Sequence, residues 1–163
     1  MEYLKQSIQI DKEIYGQKSP NLIIDYNNLG MVQYTSGYLS DALDSYNTSM
    51  DLCINHLPED HPHFATLYNN IGSVYSKIAG KEDSAMTCFE KALQLRIQKY
   101  GENNSNVAIV YYNIARIHEK RNNIEQAICY FEKALTIFDN NLGSSHPNTK
   151  TAQEALNKLK NLQ

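Results

Sequence analysis

The chain repeats itself at intervals of 42 and 43 residues, and this repetition constrains its fold more than any other feature. The pentapeptide at 26–30, Tyr-Asn-Asn-Leu-Gly, returns at 68–72 as Tyr-Asn-Asn-Ile-Gly, and a degraded copy occupies 111–115. A second block of small, aromatic and small residues follows each copy: Ala42, Tyr46 and Ser49; Ala85, Phe89 and Ala92; Ala127, Phe131 and Ala134. Tandem units of this length bury their apolar surface against neighbouring copies.

Each unit predicts two α-helices. Apolar residues in both blocks follow the 3.6-residue period, as Tyr68, Ile71 and Val74 do. The chain has few prolines and glycines, 4 and 7, which favours helices over hairpins and loops. The spacing predicts an all-α fold without strands, with helices near 2–15, 20–36, 39–56, 62–79, 82–100, 105–121, 124–142 and 147–161.

Glycine and proline mark the predicted helix ends. Helices are expected to stop where a positive φ suits only glycine, at Gly16, Gly101 and Gly143. The next helices are expected to have a proline in the first turn, where the missing N–H is harmless, at Pro20, Pro62 and Pro147. Ser19 and Asp60 are the predicted caps.

Small residues recur opposite the aromatic column. Gly30, Gly72 and Ala115 stand on the first helices of the three units. They are predicted to let the two helix backbones of a unit approach closely, so that Tyr46, Phe89 or Phe131 fills the space beside them.

These columns resemble the tetratricopeptide repeat, a helix–turn–helix unit of ~34 residues. The longer unit, the Phe-Glu-Lys-Ala-Leu segments at 89–93 and 131–135, and the His-Pro turns at 61–62 and 146–147 are similar to the long variant of kinesin light chains and nephrocystin-type proteins. The resemblance covers essentially the whole chain and implies a right-handed α-solenoid of antiparallel helix pairs. The chain departs from the pattern at 101–105, which lacks His-Pro, and at Gln33 and His118, which replace the usual aromatic residue.

The predicted organisation is a single domain, 1–163, of a longer protein. It comprises a half repeat at 1–19, repeats at 20–61, 62–104 and 105–146, and a terminal helix at 147–163. The opening helix matches only a second helix, so Leu4, Ile8 and Ile10 are expected to be partly uncovered. This favours either an excised segment or self-association through that helix. The closing helix carries Gln153 and Asn157 in core columns and is expected to act as a cap.

Composition excludes several classes of partner and location. The net charge of −3 and the absence of a long Lys/Arg cluster argue against nucleic acid. The longest nearly apolar run, at 107–112, is too short to span a bilayer, and no signal peptide is visible, so no membrane is expected. Three unpaired cysteines fit a reducing compartment, and we expect a cytoplasmic protein.

No catalytic motif is present in the sequence, and we expect neither an enzyme nor a cofactor. The nearest approach to a metal site is the cluster Cys53, His56, Asp60, His61 and His63. Because His61-Pro62 recurs as His146-Pro147, the histidine is interpreted as serving the turn, and no metal is predicted.

The predicted functional surface is the concave groove lined by the first helices. Its residues are Ile24, Asn27, Met31, Tyr34 and Thr35; Thr66, Asn69, Ser73, Ser76 and Lys77; Ile109, Tyr112, Arg116 and Lys120; and Thr151, Glu154 and Lys158, with Asn28, Asn70 and Asn113 at the edge. The amides suit an extended peptide backbone, although the second Asn of each pair serves equally well as a bond between repeats. The four cations suit an acidic partner, with Glu119 and Glu154 opposing them.

Two functions remain open on the sequence. The first is an adaptor whose groove binds a short acidic or polar peptide of another protein, resembling the cargo-binding repeats of kinesin light chains. The second is a structural spacer within a larger multidomain signalling protein, with partners on the convex face or the ends. The carboxylate clamp of chaperone-binding tetratricopeptide domains is not expected, because Met31 and Ile109 stand where polar or basic groups are needed.

Overall fold

The structure is a computed structural model that describes residues 1–161, and within that range it contains eight α-helices and no strand. The helices are α1 (Glu2–Tyr15), α2 (Leu22–Thr35), α3 (Leu39–His56), α4 (Pro62–Lys77), α5 (Glu82–Tyr100), α6 (Ser105–Lys120), α7 (Ile124–Leu142) and α8 (Pro147–Lys160). All eight predicted helices are confirmed, and the largest difference at any described end is two residues. The last two residues of the predicted terminal segment 147–163 lie outside the described residues. None of the described helices is long and apolar enough to cross a membrane.

Helices α2 and α3, α4 and α5, and α6 and α7 form three closely packed pairs, which then stack on one another. The small-against-aromatic packing is confirmed: Gly30 and Gly72 face aromatic rings, and Ala115 shares a buried cluster with Phe131. A Cβ atom on Gly30 would lie 2.7 Å from the Tyr46 ring, and one on Gly72 would lie 2.8 Å from the Phe89 ring. The backbone approach of these pairs therefore depends on the absence of a side chain at the glycine.

Two of the four loops that join successive units, those between α3 and α4 and between α7 and α8, end in a histidine that caps the following helix. His61 Nδ1 accepts the His63 backbone N–H at 3.3 Å, and His146 Nδ1 accepts the Asn148 N–H at 3.2 Å. The histidine thus serves the turn, as predicted. The prediction that Asp60 caps α4 is wrong, because His61 is the residue with extended backbone next to Pro62.

The start of α2 also differs from the prediction. Pro20 lies in a turn, and the helix begins two residues later at Leu22 after Asn21. Ser19 does accept the Asn21 N–H through its hydroxyl, at 3.3 Å, but this bond closes the turn and not the helix. The predicted helix ends at Gly16, Gly101 and Gly143 are confirmed, each with a positive φ.

The first helices of successive units lie on the inner side of the solenoid. Helix α2 touches α4, and α4 touches α6, whereas the second helices of the described residues make no comparable contact with each other. Because the first helices lie close together, the faces that they turn away from the second helices line the concave surface. The functional residues were predicted on this surface.

Two polar residues, Gln33 and His118, stand where Tyr75 lies on the first helix of the second repeat, and the structure accommodates them differently. Gln33 is buried and accepts the Ser45 hydroxyl at 2.6 Å, so its side chain is hydrogen-bonded. His118 stacks on Tyr130 with ring centroids 5.5 Å apart, and its buried Nδ1 has no hydrogen-bond partner among the described residues. Desolvation, and secondarily the Arg121 charge, lowers the pKa of His118.

We expect Gly72→Leu to lower the free energy of unfolding by about 3 kcal/mol, because the new side chain meets the Phe89 ring. The measurement is chemical denaturation followed by circular dichroism. The matched variant Gly72→Leu/Phe89→Ala opens the space, so its loss is expected to be smaller than the sum of the two single losses. Additive losses would show that the two positions do not compete for the same space.

We expect His118 to make the protein less stable in mild acid. The unfolded chain binds a proton at this side chain near pH 6.5, whereas the folded chain resists it, so the free energy of unfolding decreases as the pH falls below about 6.5. Denaturation at pH 7.5 and 5.5 measures the change. His118→Phe should reduce the difference between the two pH values, and an unchanged difference would contradict the assignment.

Candidate peptide-binding groove

A depression of about 560 Å³ lies on the inner side of the solenoid between α2, α4 and α6. Seven residues of the predicted groove line it: Tyr34, Ser73, Ser76, Lys77, Tyr112, Arg116 and Lys120. Its remaining lining includes Asn113 and Glu119. The structure therefore brings residues from three repeats, far apart in sequence, into one depression that carries three cationic side chains.

The asparagines form bonds between repeats. Asn70 Nδ2 donates to Asn27 Oδ1 at 3.0 Å, and Asn113 Nδ2 donates to Asn69 Oδ1 at 2.9 Å. The second Asn of one unit thus bonds to the first Asn of the unit before it. Each pair still has an N–H of the first amide and a carbonyl lone pair of the second to offer a ligand. The two interpretations of the asparagines that the sequence left open, peptide binding and bonding between repeats, are therefore compatible.

Lys77 lies over an aromatic ring of the neighbouring repeat. Its Nζ is 4.3 Å from the centroid of Tyr34, a cation–π distance. Among the described residues, no carboxylate lies within 4.0 Å of this ammonium. The contact keeps the charge at the wall of the depression while leaving it available to an anion.

The other three cations of the groove are paired. Lys120 Nζ lies 2.6 Å from Glu82 Oε1 and 3.1 Å from the Ser76 carbonyl oxygen. The hydrogen bond from Lys120 is the main reason that the pKa of Glu82 is lowered. The sequence reasoning missed Glu82, because this residue belongs to a second helix and approaches the groove only through the packing of α5 against α6.

Glu119 holds the remaining two cations. Arg116 Nη1 lies 2.5 Å from Glu119 Oε2, and Lys158 Nζ lies 3.3 Å from Glu119 Oε1. The carboxylate therefore bridges α6 and α8. Its opposition to the groove cations was predicted, whereas its simultaneous contact with both was not.

A second, mainly apolar depression of about 220 Å³ adjoins the first at Tyr112. Ile109, Phe138, Asn148 and Thr151 complete its lining. Of these, Ile109 and Thr151 were predicted to face the groove. Met31, also predicted there, is about half exposed and lines neither depression. The role of these side chains in binding stays a prediction.

Comparisons with known proteins match this architecture. A family model described as the tetratricopeptide repeat matches residues 63–140. Among curated proteins, the clustered mitochondria protein homologs of Danio rerio and Homo sapiens are each 28% identical, over 155 and 152 residues. These matches cover 95% and 93% of this chain, yet the chain spans only 11% and 12% of the relatives' lengths.

Solved structures show the same fold. The crystal structure of BtubC (BKLC) from P. vanneervenii has a TM-score of 0.82 and 21% identity, and the match covers 97% of this chain and 63% of that one. A crystal structure from Podosopora anserina, described as putative kinesin light chain nearly identical TPR-like repeats, has a TM-score of 0.74 and 16% identity. The match covers 86% of this chain and 66% of that one. The chain therefore has the fold of a tetratricopeptide-repeat solenoid, similar to that of the kinesin light chain-like repeats.

Proposed function

We propose that this chain is a non-enzymatic, cytoplasmic protein-binding module whose groove takes a short acidic or polar peptide segment of a partner. The observation that carries the proposal is the depression between α2, α4 and α6, in which Lys77 faces the space without a carboxylate of its own among the described residues. The asparagine pairs beside it present amide groups along the same surface.

The form of the groove favours an extended peptide over a folded surface. Amide pairs repeat once per unit and match the alternating N–H and C=O groups of an extended main chain. The apolar depression next to Tyr112 offers a place for one apolar or aromatic side chain. A short segment loses conformational entropy on binding, so we expect micromolar affinity, about −8 kcal/mol.

We expect Lys77→Glu and Arg116→Glu each to abolish binding of acidic peptides, because each places a second negative charge in the depression beside Glu119. The measurement is fluorescence anisotropy with the tightest binder from an array of acidic peptides about ten residues long. Circular dichroism should show unchanged helicity, since both side chains are largely exposed. Lys5→Glu, on the exposed face of α1, is the matched control and should bind normally.

Unchanged binding in both groove variants would contradict the assignment and favour the spacer function. In that case partners would occupy the convex face or the ends, and removal of residues 1–15 would have the larger effect. The great length of the curated relatives beside this chain is compatible with either function.

We also propose self-association through α1. Tyr3 and Ile10 are 87% and 53% exposed, although Ser45 and Leu52, their counterparts 42 residues later, are buried against a paired first helix. Helix α1 thus exposes a face that is buried in α3, the equivalent helix of a complete repeat. A second copy of α1 is the partner that this apolar stripe fits by its own symmetry.

We expect sedimentation velocity to show a concentration-dependent dimer that Ile10→Glu disrupts, because the charge enters the apolar stripe. Lys5→Gln, which makes the same change in net charge on the opposite, exposed side of α1, serves as the control and should leave the dimer intact. A monomer at all concentrations would overturn this proposal without affecting the groove.

A further inference from the structure

The groove contains its own carboxylate in the position where an acidic ligand would bind. Resting on the proposed function, we propose that Glu119 is a built-in competitor for the ligand's carboxylate, and that Lys77 is the residue that selects an acidic segment. The argument depends on which cations are already paired and which is not.

Glu119 is placed to act as an internal ligand. Its two carboxylate oxygens contact different cations, Oε2 with Arg116 and Oε1 with Lys158. The Glu119 side chain is only 17% exposed, whereas those of Arg116 and Lys158 are 53% and 67% exposed. The cations are thus reachable from solvent, and the carboxylate between them already occupies the contacts that an incoming acid would make.

The acid at this position is peculiar to the third repeat. The corresponding residues of the first two repeats are Tyr34 and Ser76, which carry no charge at neutral pH. The solenoid therefore does not need a carboxylate in this column to stack its repeats. Here the carboxylate joins α6 to α8 through Lys158 and at the same time occupies the groove beside Arg116.

Lys77 differs from the other cations in what a ligand would gain. A carboxylate that reaches Arg116 or Lys158 meets a cation whose charge Glu119 already balances, so it competes with an existing ion pair and gains little free energy. Lys120 is similarly held by Glu82. An acid that reaches Lys77 forms a new ion pair, and the Tyr34 ring below keeps the ammonium in place.

Two consequences follow for binding. Neutralising Lys77 should weaken binding of an acidic ligand more than neutralising Arg116 does. Neutralising Glu119 should strengthen binding of the ligand, because Arg116 and Lys158 then become available to its carboxylates. The partner segment is accordingly expected to place its essential Asp or Glu over the α4 side of the depression, with further acidic residues contributing little while Glu119 is present.

The test uses the whole chain and the acidic peptide that binds it most tightly in the array, measured by anisotropy at low and high salt. We expect Lys77→Gln to weaken binding on the order of fivefold and Arg116→Gln by less than about twofold. We expect Glu119→Gln to strengthen binding on the order of fivefold, with the gain decreasing at high salt. Glu125→Gln, exposed on α7, makes the same change in net charge outside the groove and should have no effect.

A triple variant separates release of the cations from a general change in potential. If Glu119 acts as the competitor, its replacement gives no gain when Arg116 and Lys158 are already glutamine. A gain that persists there, or an unchanged affinity in Glu119→Gln, overturns the inference while peptide binding stands. Failure of the wild-type chain to bind any acidic peptide overturns the proposed function itself. Thermal unfolding by circular dichroism verifies that each variant is folded.

Discussion

The close approach of two helices at a glycine or an alanine determines most of this structure. At Gly30 and Gly72 there is no room for a Cβ beside the aromatic ring of the paired helix. That contact fixes how the helices of one unit pack, and the repetition of the unit then fixes how each pair stacks on the next. The groove is a consequence, because residues of three first helices can line one depression only if those helices are held at regular spacing.

The electrostatics of the groove depend on this stacking as well. Ion pairs across adjacent helices, such as Lys120 with Glu82 and Lys158 with Glu119, neutralise charges that the sequence alone presents as free. Of the four groove cations that the sequence presents, three are paired with carboxylates. Lys77 differs from them because it lies over the Tyr34 ring. Which cation is available is decided between helices and not along any one of them.

The core shows the same division between pattern and packing. Arg96 occupies the column that holds Cys53 and Phe138 in other repeats, and it is nevertheless buried, with 8% of its surface exposed. Its guanidinium donates to the Asn106 carbonyl oxygen, and desolvation lowers its pKa. The equivalent residues of the other two repeats are apolar. A carbonyl at the start of the next helix is what makes the charged residue acceptable, and no spacing rule reveals it.

The sequence by itself determined the eight helices, their pairing and the face that lines the groove, because a period of 42 or 43 residues with small residues opposite aromatic ones has few packed solutions. It also indicated that the histidine before Pro62 serves the turn. Only the tertiary structure decided which asparagine bonds to which, that Glu82 reaches Lys120, and that Glu119 joins two cations. These contacts join different helices, and their geometry depends on interhelical distances that a one-dimensional pattern does not contain.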